Sequence, residues 1–171
     1  YVLTLLTDQP HHARMTALRK QYFPPRLNKL SAHITLFHAL PSHKLASSVL
    51  PALERVAAQT TPFEVCATGP FRLRRGIAIG LAGEGRAKAG EVHGLLQREW
   101  RAEGWLSVQD AAEGWRGHYT IMNKVEDEGE VERALGEVRR GWKGDDVGRA
   151  EGFGLWRYER GWWVWERRFA F

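Results

Sequence analysis

A single cysteine, Cys66, in 171 residues excludes an internal disulfide and any zinc site built on cysteines. It places the chain among reduced, intracellular proteins, cytoplasmic or nuclear. No apolar run reaches the roughly eighteen residues a membrane span needs, and the first twenty residues lack the long apolar core of a secretory signal, so no membrane association is expected. The glycines of 80–85 lack the Lys-Ser/Thr of a phosphate loop and the acidic partner of a dinucleotide site, leaving an ordinary strand-to-helix turn. His38 and His43 lie near His33 without an accompanying carboxylate cluster, and His38 falls on the opposite strand face. Neither a metal nor another cofactor is expected.

What is present is a duplicated strand pattern. Ala32-His33-Ile34-Thr35-Leu36-Phe37 has a near twin in Gly117-His118-Tyr119-Thr120-Ile121-Met122. On a β-strand alternate side chains share a face, so each copy offers one imidazole and one hydroxyl side by side, with apolar residues behind. With 7 histidines in the chain, chance supplies about half of one His-x-Ser/Thr match, and seldom two with strand-like flanks. The plain alternative is two solvated strand faces. Two imidazoles facing one cleft would instead act as acid and base on opposite sides of one bond, with two hydroxyls holding the anionic group between them. That suits a phosphodiester.

The paired His-x-Thr motifs at His33/Thr35 and His118/Thr120 resemble the two-histidine (2H) phosphoesterase superfamily, and the phrases around them look closest to its RNA ligase-like branch. The resemblance covers most of the chain. It implies metal-independent hydrolysis of a 2′,3′-cyclic phosphate on a nucleotide or RNA terminus, with His33 as proton donor to the leaving ribose oxygen, His118 as base on water, and Thr35 and Thr120 on the non-bridging oxygens. It also implies alternatives in the same cleft: 2′,5′-linkage cleavage or ligation, 3′-exonuclease trimming, or nucleotide or RNA binding without turnover.

Bulk properties agree with such a partner. The net charge of +5 and pI near 9.7 favour a phosphorylated or polyanionic ligand. Arg72, Arg74 and Arg75 cluster mid-chain, and one of them is a candidate for a flanking phosphate. Phe37, at strand parity with His33 and Thr35, is a candidate to pack against a nucleoside. The C-terminal aromatics Trp156, Tyr158, Trp162, Trp163 and Trp165 interleave with arginines and invite a base-stacking reading, but strand-forming aromatics in a short hairpin favour core packing.

In chain order, the pattern predicts a strand over Tyr1–Thr7, then a helix capped by Asp8 and running to Tyr22, stopped by Pro24-Pro25. The first motif strand spans Ala32–Ala39, and Ser42 is placed to cap a helix to Gln59 broken or kinked at Pro51. Three strand runs follow over Phe63–Thr68, Phe71–Arg74 and Ile77–Leu81. A helix over Arg86–Glu103, the second motif strand over Gly117–Lys124, a helix over Glu126–Arg140 and strands Val147–Tyr158 and Trp162–Phe169 complete the second half. Acidic residues at the start of that last helix and Arg139-Arg140 at its end complement its dipole. Hairpin-like links argue for antiparallel sheets and an α+β class. One bilobal unit over residues 1–171, monomeric, is expected, each lobe lending a motif strand to a central cleft. The resemblance implies the same fold, two pseudo-symmetric lobes of antiparallel sheet with helices outside.

Overall fold

The computed structural model describes all 171 residues. Seven strands carry the fold: β1 (Val2–Thr7), β2 (Ile34–Phe37), β3 (Phe63–Leu73), β4 (Gly76–Ala82), β5 (His118–Met122), β6 (Asp146–Glu159) and β7 (Trp162–Ala170). Their order is β1-β2-β5-β4-β3-β6-β7, with a further β1–β6 pairing that closes the first six strands into a barrel-like ring and leaves β7 at an edge. Every pairing is antiparallel. The ring is pseudo-symmetric about the junction of the two motif strands: β2 and β5 meet, β1 and β4 flank them, and β6 and β3 join on the far side.

Helices pack outside this sheet: α1 (Gln9–Tyr22), α2 (Leu50–Ala58), α3 (Gly83–Ala102), the short α4 (Val108–Ala111) and α5 (Glu128–Gly141). None is long and apolar enough to cross a membrane. Asp8 caps α1 by accepting from the His11 amide. Asp127 caps α5 by accepting from Gly129 and Glu130, and Arg139 and Arg140 lie in its last turn, where positive charge faces the carbonyl end of the helix dipole. Burial follows strand period two: Ile34, Leu36, Tyr119 and Ile121 are buried, while His33, Thr35, His118 and Thr120 on the opposite face are only partly covered.

Several boundaries differ from the sequence expectation. The stretch from Ser42 is not one helix: a 3₁₀ turn and a π-helical turn precede α2, Ser42 makes no capping hydrogen bond, and Pro51 sits in the first turn of α2, where its missing N–H costs nothing. The runs Phe63–Thr68 and Phe71–Arg74 form one strand, β3, because the irregularity at Gly69 is a bulge rather than a turn. α3 begins already at Gly83, and α4, capped by Ser107, has no counterpart in the sequence expectation. The first motif strand is shorter than Ala32–Ala39 because Asp110 accepts the amides of His38 and Ala39 and draws the chain out of the sheet.

Candidate active site

β2 and β5 are joined by one register pair, Ile34↔Tyr119. Antiparallel geometry then sets His33 opposite Thr120 and Thr35 opposite His118, all four on the face away from Ile34 and Tyr119. A cleft of about 550 Å³ opens there, lined by all four of these residues. The close packing behind it explains the glycine of the second copy. A Cβ on Gly117 would lie 2.7 Å from the Trp115 ring and 2.8 Å from Leu81.

The two imidazoles are held alike. His33 Nδ1 lies 2.8 Å from the carbonyl of Ser31, and His118 Nδ1 lies 2.8 Å from the carbonyl of Arg116. A carbonyl only accepts, so each Nδ1 carries the proton and donates. Each Nε2 is thereby left as the atom that can take or give a proton. Main-chain clamps hold the threonine strands as well: the Trp115 indole donates to the Thr35 carbonyl at 3.0 Å, and Arg19 Nη1 donates to the Thr120 carbonyl at 2.6 Å.

The surroundings of the two rings differ. Trp163 from β7 lies against His33, with centroids 4.5 Å apart. Phe71 from β3 meets His118 edge-on at 6.0 Å. Burial lowers the His33 pKa to about 4; the Ser31 hydrogen bond opposes this, while the charges of Arg19 and His118 add to it. Arg19 is itself buried. Its donors go to uncharged acceptors, Asn28 Oδ1, the Leu30 carbonyl and the Thr120 carbonyl, and its guanidinium lies 3.9 Å over the Phe23 ring. Burial brings its pKa down to about 10, so it remains a cation at neutral pH, without a carboxylate partner and lining the cleft. Arg116 and Lys124 add exposed positive charge to the same lining. Nowhere do three or more His, Cys, Asp or Glu side chains cluster as metal ligands.

The four residues expected from the sequence to contact substrate beside the motifs lie elsewhere. Phe37 is fully buried, stacked on His93 at 4.7 Å and edge-on to Trp100. Strand alternation breaks at the end of β2, where Leu36 and Phe37 are both buried, so parity with His33 does not carry Phe37 into the cleft. Arg72 pairs with Glu132 and Arg75 with Glu126. Arg74 is exposed at the β3–β4 turn. None of the three lines the cleft, because β3 carries them past its end toward the start of α5. The residues that do line it beside the motifs include Arg19, Phe71, Arg116, Lys124 and Trp163. Arg116 and Lys124 flank the second motif and were legible by extending that strand. Arg19, in the last turn of α1, gave no local signal.

Comparison with known proteins agrees with this architecture. A model of the 2′-5′ RNA ligase superfamily matches residues 7–162. The chain is similar to the solved structure of TT0787 from Thermus thermophilus, at 13% identity and a TM-score of 0.66 over 99% of this chain and 97% of that one. It is also similar to LigT from E. coli, solved with 3′-AMP, at 12% identity and a TM-score of 0.65 over 99% and 95%. A structure described as a phosphoesterase gives the same TM-score and coverage at 12% identity. None of the curated proteins compared with it matches in sequence. With a family model spanning most of its length and two His-x-Thr strands meeting at one cleft, the chain belongs to the 2′-5′ RNA ligase superfamily of two-histidine phosphoesterases.

Proposed function

We propose that the protein is a metal-independent phosphodiesterase that hydrolyses the 2′,3′-cyclic phosphate of a nucleotide or RNA end. The observation that carries this reading is the matched pair of imidazoles, each with Nδ1–H fixed on a carbonyl two residues back and Nε2 left free, each opposite the threonine of the other strand. Proton removal and proton supply at one phosphorus need two such groups. Thr35 and Thr120 donate to the non-bridging oxygens. The positive charge of Arg19, Arg116 and Lys124 favours the anion and the charge that builds in the transition state. LigT holds 3′-AMP in the same fold, which supports a ribonucleotide phosphate as the ligand class.

The environments favour a division of roles opposite to the one the resemblance implied. A base must be unprotonated when substrate arrives, and burial together with Arg19 keeps His33 neutral. His33 Nε2 takes a proton from water as its oxygen bonds to phosphorus. The P–O bond to the ribose oxygen breaks, and His118, opposite Thr35 across the β2–β5 junction, supplies the proton through Nε2–H. Phe71, beside His118, offers its face to the nucleoside in the role first assigned to Phe37.

The test is turnover of 2′,3′-cyclic nucleotides, cyclic-phosphate-ended RNA and 2′,5′-linked dinucleotides by the purified protein. Hydrolysis of the cyclic phosphates is expected. Tight binding of all three without product would replace the enzyme by a nucleotide-binding module.

A further inference from the structure

A second cavity of about 430 Å³ adjoins the cleft, with His33 and Trp163 belonging to the walls of both. Its lining is largely aromatic and basic: Trp156, Trp163 and Trp165 stand with His12, Lys29 and Arg168, and Glu151 is the one carboxylate among them. The sequence favoured these tryptophans as core. In the structure Trp165 is 47% exposed and Trp162 56% exposed, because β7 extends along the edge of the sheet beyond the hydrophobic core.

The wall is shaped by a bulge. Leu155 pairs with Arg167 but Trp156 pairs with Trp165, so β7 carries one extra residue at Glu166. That residue shifts the phase of the strand. Without it Arg167 would follow Trp163 and Trp165 on their face; with it Arg168 does, opposite Gly154, two residues from Trp156. The indole of Trp156 is fixed by donation to Thr4 Oγ1 at 2.9 Å and lies 4.7 Å from Trp165. Arg168 is tied to Glu151 at 3.2 Å. Lys29 has no carboxylate partner and stands 5.2 Å from the centre of the Trp162 ring, leaving one uncompensated cation at the rim.

Indoles half open to solvent beside a free cation match a nucleobase with its phosphate, since every base presents a π-face and every linkage an anion. We propose that this cavity is a second nucleotide subsite, which takes the residue adjacent to the one bound in the cleft, so that the protein prefers oligonucleotide ends to single nucleotides. The proposal rests on the nucleotide reading of the cleft. Trp163, shared by the two cavities, marks the crossing between the two nucleotides.

The test compares kcat/KM for a mononucleotide 2′,3′-cyclic phosphate with that for a dinucleotide ending in the same cyclic phosphate, in wild type, Lys29→Ala and Trp165→Ala. Wild type is expected to prefer the dinucleotide by roughly tenfold or more, the scale of one stacked base. Each variant is expected to lose most of that preference while its mononucleotide turnover stays unchanged. Equal wild-type kcat/KM for the two substrates, or variants that lower both alike, would overturn the subsite. If neither substrate is turned over, the hydrolase reading fails on its own, and the subsite is judged by direct titration with the matching mono- and dinucleotide 3′-phosphates. Tighter dinucleotide binding that Lys29→Ala abolishes supports it; equal binding overturns it. Lys29→Ala, at an exposed-rim position, keeps the test decisive if Trp165→Ala does not fold.

Discussion

The β2 and β5 motif segments carry the same His-x-Thr pattern and place it in unlike surroundings. In both, the histidine Nδ1 is fixed on a carbonyl two residues back at 2.8 Å, and a threonine follows on the same face. On β2, the ring is covered by Trp163, sits near the buried Arg19, and has its pKa lowered to about 4. On β5, the ring meets only the edge of Phe71, and its neighbours Arg116 and Lys124 are exposed. The repeated motif supplies geometry twice, while burial and the Arg19 charge, both from outside the motif, lower the pKa of the His33 ring.

The largest expected effect comes from removing either ring. His33→Ala and His118→Ala should each lower the chemical step on the order of 10² to 10⁴-fold, with substrate affinity changed far less. Single-turnover hydrolysis at saturating substrate separates the two. Thr35→Ala and Thr120→Ala should cost less, on the order of 10- to 100-fold, because a hydroxyl that orients and stabilises the phosphate oxygens leaves both proton transfers in place. Their pH profiles should keep the wild-type shape at reduced height.

A subtler change sharpens the contrast between the rings. Arg19 depresses the His33 pKa, so Arg19→Gln should raise it and move the acidic limb of kcat/KM to higher pH; an unmoved limb would disconnect Arg19 from His33. His93 serves as a control. It is buried between Phe37 and Trp115 and has its pKa lowered to about 4 by burial, but it is outside the cleft lining. Its folded-state pKa lies below the unfolded value near 6.5, so the unfolded chain binds the extra proton. Stability is then lost as pH falls through 6.5 and the loss is complete below about pH 4. His93→Phe should reduce the acid-induced loss of stability by about 1–2 kcal/mol at pH 5, measured by denaturant titration, and should leave the kinetic limb where it is. The smallest expected effect is that of chelation: turnover in EDTA should equal that without it, and loss of activity restored by zinc would support a metallohydrolase instead.

The paired His-x-Thr constellation was legible in the sequence because it is local. His33, Thr35, His118 and Thr120 are spaced by strand period two, and the buried partners Ile34, Leu36, Tyr119 and Ile121 show that period directly. The α+β class and antiparallel pairing followed from the hairpin-like links. The residues that complete the cleft were harder to read, because they arrive from distant elements: Arg19 from α1, Phe71 from β3, Trp163 from β7. Parity failed for Phe37 because β2 ends in two consecutive buried residues. Clustering failed for Arg72 and Arg75 because acidic residues near α5, far along the chain, claim them. The tryptophans of β7 were assigned to the core on composition, and only the strand order shows β7 at an edge.

The central claim is that two structurally equivalent histidines act with opposite protonation states, and the pH dependence of kcat/KM tests it most directly. That quantity reports the free protein's ionisations. On a 2′,3′-cyclic nucleotide, the wild-type acidic limb should fall below about pH 5, well under that of an ordinary histidine. His33→Ala should abolish this limb, and His118→Ala should leave it in place. If both variants keep wild-type rates and this limb, the paired motifs do not carry catalysis. If instead the acidic limb disappears with His118→Ala and survives His33→Ala, the rings have the reverse roles.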